Sequence, residues 1–128
     1  MNIAFDIHGT LDKYKILRDF LWLLSRFQHI TSNVRVYIIS GAPEEQLIKE
    51  CEELGLPKKI KIISVVDYLK EKDVEMWQDK NGNWWTFAGE WWPSKGDICR
   101  EYEIDILFDN DKRYKENIPD STVFVYVG

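Results

Sequence analysis

The sequence predicts an α/β domain in which a parallel sheet lies between two layers of helices. Three observations lead there. Short β-branched apolar runs alternate with stretches of helical period. A polar or turn residue ends each of the principal runs. The 128 residues, 15.3 kDa, are too few to divide into two self-sufficient cores, so residues 1–128 form one domain.

Taken in order, residues 3–7 are an apolar run cut by Asp6 and ended by Gly9-Thr10, a buried strand entering a turn. Ile16, Leu17, Phe20, Leu21, Leu24 and Phe27 then fall on one face of a helix. Residues 34–39 are a second buried strand, ended by Ser40-Gly41. Pro43 opens the next helix, with Glu44 and Glu45 near the positive end of its dipole. Leu47, Ile48, Cys51 and Leu54 make its inner face, and Gly55 caps its end. Residues 60–63 form a short third strand, and residues 65–72 a brief helix.

The texture changes after that. Residues 74–88 alternate loosely around Asp79-Lys80-Asn81-Gly82-Asn83, which reads as a β-hairpin inserted into the scaffold over about residues 73–93. Ser94 with Asp97 resembles a capping box and is expected to start a helix carrying Ile98, Cys99 and Tyr102. Residues 104–108 are a fourth strand ending at Asp109-Asn110-Asp111, and residues 121–127 a fifth.

Composition narrows the function. Seventeen basic against 22 acidic residues give −5, the wrong sign for non-specific grip on a nucleic-acid backbone. The longest apolar run, residues 20–24, falls far short of the ~20 residues that span a bilayer. No basic stretch leads into an apolar one at the N-terminus, so no secretory leader is expected. Cys51 and Cys99 stand in no metal-ligand spacing, which suggests reduced thiols and a cytoplasmic location.

In a parallel sheet, ligands bind beyond the carboxyl ends of the strands, where strand order reverses. Asp6, Ser40 and Asp109 follow strand ends, and Lys95 lies at the expected start of a helix. Two carboxylates on neighbouring strands repel unless a cation lies between them, and all-oxygen ligation of this kind suits Mg²⁺. Lys95, the Ser40 hydroxyl and the Gly41 N–H would supply positive potential and donors for a phosphoryl group. One carboxylate can then attack phosphorus and carry it as an acyl phosphate that water cleaves.

Phe-Asp-Ile-His-Gly-Thr-Leu (5–11), Ile-Ile-Ser-Gly (38–41), Lys95 and Leu-Phe-Asp-Asn-Asp (107–111) together resemble the four motifs of the haloacid dehalogenase (HAD) superfamily, in the family's order. The resemblance implies a Rossmann-like sheet of order 3-2-1-4-5 and an Mg²⁺-dependent phosphohydrolase or phosphotransferase. It makes Asp6 the nucleophile and a metal ligand, and position 8 a ligand through its carbonyl. Ser40 and Lys95 would hold phosphate, Asp109 would bind the metal directly, and Asp111 would bind it through water. The family's phosphatases carry a second Asp where this chain has His8. An imidazole can act as acid and base near neutrality. Its bulk and charge beside a metal leave a slowed enzyme, and after that a non-catalytic protein, as the alternatives to a working acid and base.

Plainer readings stand beside these. Ser40 can be a helix cap; Lys58, Lys59 and Lys61 compete with Lys95; Asp111 and Asp105 can be surface acids; His29 suits a helix C-terminus. The chain has six Trp, five of them between residues 77 and 92. Trp77, Trp84, Trp85, Trp91 and Trp92 are expected either as a satellite core, as a stacking wall that selects the substrate, or as a homodimer contact. An insert of this size leaves the site open to a bulky phosphorylated partner such as a nucleotide. Two rival functions remain: a catalytically silent phosphate- or nucleotide-binding protein, and a phospho-accepting receiver, whose acceptor would follow the third strand near Ser64 and Asp67.

Overall fold

The computed structural model describes residues 1–128. Its main sheet has five parallel strands: β1 (Asn2–Phe5), β2 (Arg35–Ser40), β3 (Lys61–Ser64), β6 (Ile106–Asp109) and β7 (Val123–Tyr126). Strands β4 (Trp77–Gln78) and β5 (Trp84–Trp85) pair separately as a small antiparallel hairpin. The main order is β3-β2-β1-β6-β7. With the hairpin strands set aside, this is the expected order 3-2-1-4-5.

Alternation along the strands assigns the two faces. Ile3 and Phe5 of β1 join Val36 and Ile38 of β2 on one side, against Leu21 and Leu24 of α1 (Lys15–Ile30) and Leu47 and Cys51 of α2 (Glu44–Glu53). Ala4, Tyr37, Ile39 and Leu107 face the other side. There they meet Val65, Val66 and Leu69 of α3 (Val65–Glu71) and Ile98 and Cys99 of α4 (Ala88–Glu101). The chain moves outward from β1 through β2 to β3, then returns to β6 on the opposite flank of β1. The order therefore reverses between β1 and β6, which is where such sheets open a crevice. No helix is long and apolar enough to cross a membrane.

Three expectations need correction. Of the apolar positions assigned to the inner face of the first helix, only Leu21 and Leu24 are buried, while Ile16 and Phe27 are 72% and 49% exposed. Ile16 and Phe27 lie on a second stripe turned away from the sheet, and Phe20, between the two stripes, meets the sheet only through the edges of Phe5 and Phe108. Ile48 of α2 is likewise exposed, whereas Gly55 does close that helix, at φ +68°.

The last helix begins at Ala88, six residues before Ser94, and contains Trp91, Trp92 and Pro93. Ser94 is buried and its hydroxyl donates back to the Trp91 carbonyl instead of capping the helix. Pro93 is tolerated in the second turn because the carbonyl it leaves without a donor belongs to Gly89, an exposed residue open to water.

Candidate active site

Asp6 continues β1 by one ladder bond, its N–H donating to Phe108 O at 2.9 Å. Asp6 is 5% exposed. A carboxylate so placed needs partners, and two reach Oδ1: the Ser40 hydroxyl from the end of β2 at 2.9 Å and the Lys95 ammonium from α4 at 3.1 Å. Lys95 is also fully buried, and its Nζ donates to Asp109 Oδ2 at 2.5 Å. The Tyr114 ring lies 4.4 Å from Nζ and covers its remaining side. The cation between the carboxylates of Asp6 and Asp109 is therefore the chain's own lysine. Proximity of the two acids does not by itself demand a divalent ion, which revises the electrostatic expectation drawn from sequence.

Burial pulls the Lys95 pKa down, but Asp6 and Asp109 together outweigh burial, so the net shift is upward and the amine stays charged. The Asp109 pKa is raised, first by burial and then by Asp6, against the opposing pull of Lys95. Burial also raises that of Tyr114. Close packing sets the lysine's position. Gly96 follows it directly, and a Cβ there would lie 2.0 Å from the Asn117 carbonyl in the 3₁₀ turn Lys112–Asn117.

Asp111 does not converge on this centre with its side chain. Its N–H donates to Asp109 Oδ1 at 2.9 Å, while its carboxylate takes two bonds from the Arg113 guanidinium, which hold its pKa low. The residue between them, Asn110, does converge. Turned nitrogen-inward, its amide donates to the His8 carbonyl at 2.8 Å and to Asp6 Oδ2 at 3.1 Å. Gly9 permits this approach. It has φ +81°, and a Cβ there would run into the Asn110 amide at 2.1 Å.

The same spacing tests the site for a metal. Oxygens bound at 2.1 Å on adjacent corners of an octahedron are about 3 Å apart. With its amide oxygen inward, Asn110 joins Asp6 Oδ2 and the His8 carbonyl at that spacing, so the donors fit a small hard cation that keeps several waters. Of the acids expected around it, Asp109 is bonded to Lys95 and Asp111 to Arg113, and no cluster of three His, Cys, Asp or Glu side chains is arranged to hold an ion.

The His8 ring is 46% exposed. Its Nε2 meets Glu50 Oε2 of α2 at 2.5 Å, and its Nδ1 lies 3.4 Å from Ser40 Oγ. Thr10, in the same loop, is fully buried, and its hydroxyl has no partner.

The hairpin folds over the crevice. A cavity of about 380 Å³ is walled by His8, Gly41, Ala42, Pro43 and Gln46 on one side and by Gly82, Asn83, Trp84, Trp85 and Trp91 on the other. The ring of Trp91 lies against Gly41, where a Cβ would be 3.2 Å away. Trp85 is held by its own N–H to Asp79 at 2.9 Å, and Trp84 lies under the Lys70 ammonium. Trp92 is not part of the wall; it packs on Tyr114 beneath Arg113. Trp77 packs on Phe87 outside it. The other expected polar residues serve the scaffold. Ser64 caps α3 and donates to Ala42 O at 2.6 Å, Asp67 accepts from the Glu44 N–H that begins α2, and Asp105 accepts from the Asn2 N–H.

Sequence reasoning missed Asn110, Glu50 and Tyr114. Asn110 carried a signal, because it follows the strand-end Asp109 and successive residues at a strand end point to opposite faces. Glu50 and Tyr114 carried none, since each acts through a contact distant in sequence. No family model, no curated protein and no solved structure matches this chain.

Proposed function

We propose that this protein is an HAD-type phosphomonoester phosphatase working through a phospho-aspartate on Asp6. One observation carries the reading: a buried carboxylate at the switch point of a parallel sheet, with Oδ1 held by Ser40 and Lys95 and Oδ2 turned toward Asn110.

The Asp6 carboxylate attacks phosphorus as the ester P–O bond breaks, and His8 gives a proton to the departing oxygen. Water then attacks the phospho-aspartate, the acyl-phosphate P–O bond breaks, and His8 takes the proton back. Inorganic phosphate leaves and the Asp6 carboxylate is restored. Lys95 fixes the orientation of Asp6 and balances its charge against Asp109. Asp6, the His8 carbonyl and Asn110 would hold Mg²⁺, which when bound draws charge from the phosphoryl oxygens.

The exposed face of Trp85 (43% exposed), beside the amides of Asn83 and Gln46, favours a planar, uncharged leaving group such as a nucleoside. Cys51 and Cys99 are free and buried on opposite faces of the sheet, as suits a reducing cytoplasm.

A second reading has its own observation. The contact with Glu50 turns His8 toward α2, and an imidazole tied there suits a phosphate-binding protein with attenuated turnover. Hydrolysis of an aryl phosphate with Mg²⁺ by wild type, Asp6→Asn and His8→Asp separates the two. Wild-type turnover abolished by Asp6→Asn is the expected result. Silence in wild type with activity gained in His8→Asp would favour the binding protein, and silence in both would overturn the phosphatase.

A further inference from the structure

We propose that the outer face of α1 and the adjoining face of β6 and β7 form an interface with a second copy of this chain, an inference independent of the chemistry at Asp6. Helix α1 is apolar on two faces. Leu17, Leu21 and Leu24 pack toward the sheet, while Ile16, Phe20, Leu23, Phe27 and Ile30 recur at spacings of 4, 3, 4 and 3 along a second stripe. That period is the one with which helices seat against apolar partners. Phe20 touches the sheet through the Phe5 and Phe108 rings, but the rest of the stripe is open: Ile16, Leu23, Phe27 and Ile30 are 72%, 50%, 49% and 81% exposed.

The sheet beside it is open as well. Helices α1 and α2 lie over β2 and β3. On the same face of β6 and β7, Ile106 and Phe108 are half-buried and Val123 is 59% exposed. Parallel sheets are ordinarily covered on both faces. The two surfaces are continuous, since the Phe20 and Phe108 rings meet edge-on at 6.1 Å.

Area favours a second copy as the cover. At about 200 Å² per fully exposed side chain, Ile16, Phe20, Leu23, Phe27, Ile30 and Val123 offer roughly 700 Å², close to the ~800 Å² per partner of a specific interface. The rim carries both signs, with Lys15, Asp19 and Arg26 along one edge. Lys15 and Asp19 already pair within the helix at 2.8 Å, so this edge brings little net charge to a copy of itself and does not oppose a two-fold contact.

Light-scattering mass measurement across a concentration series tests this. Wild type is expected at twice the 15.3 kDa of one chain. Leu23→Glu and Ile30→Lys, checked for folding by circular dichroism, should each weaken dimerisation at least tenfold. Ile48→Glu, an exposed position on α2 away from this face, should leave it unchanged. Should Leu23→Glu fail to fold, Ile30→Lys at the helix end still decides the matter. A wild-type monomer at the highest concentration overturns the proposal. So does a dimer that ignores both α1 variants, or one lost only on Trp85→Ser in the hairpin.

Discussion

Replacing Lys95 with Met removes the ammonium between Asp6 and Asp109 while roughly keeping the side chain's volume. At an effective dielectric of 20, the contacts at 3.1 and 2.5 Å correspond to about 5 and about 7 kcal/mol of gross attraction. Desolvating the ammonium costs several kcal/mol in return, so the net loss should be about 3–5 kcal/mol, the range for breaking a buried pair and stranding its partner. The loss should depend on pH. Burial and Asp6 already raise the pKa of Asp109, and removing Lys95 takes away the main opposing pull. A carboxyl whose folded pKa exceeds its unfolded value adds stability below the unfolded value, near 4, and loses it as pH rises through the folded value. Urea denaturation should therefore find Lys95→Met least stable relative to wild type near neutrality and closest to it in acid. Adding Asp109→Asn should recover most of the deficit. A loss below about 1 kcal/mol at neutral pH, or a deficit that grows on acidification, would refute the placement of Lys95 as counter-ion to both acids.

Two further outcomes follow from the same geometry. Gly96→Ala sets a methyl carbon 2.0 Å from a backbone carbonyl, so α4 must shift. Thermal denaturation should show a loss of about 1–3 kcal/mol, and any activity at Asp6 should fall with it because Lys95 moves too. Thr10→Val removes a buried hydroxyl that has no partner and keeps its shape. It should be neutral or stabilising by about 1 kcal/mol, and a clear loss on denaturation would mean that the hydroxyl is used.

Much of the site was legible because its parts are local signals. A short apolar run ending in an acid or a serine announces a buried strand with a polar tip, so Asp6, Ser40 and Asp109 were identifiable one at a time, and sheet topology then placed them together. Lys95 was identified although the start of its helix was misplaced. Ser94-x-x-Asp97 imitates a cap, and Pro93 ordinarily marks a boundary, yet the helix continues back through both to Ala88. The Trp cluster was legible as a cluster only. That Trp84, Trp85 and Trp91 wall the crevice while Trp92 packs elsewhere depends on how the hairpin is hung and on how the first turn of α4 is rotated.

Periodicity and strand-end chemistry alone thus determine the layers, the order of the elements and which side chains require company, since these follow from the geometry of a helix or strand a few residues long. Which company each one finds is decided only in three dimensions. Asp6 and Lys95, 89 positions apart in the chain, become ion partners; Asn110 supplants its acidic neighbours at the His8 carbonyl; and the apolar stripe of α1 turns outward. Local sequence records a residue's need for burial or charge balance, whereas the atom that meets it is set by contacts between distant segments.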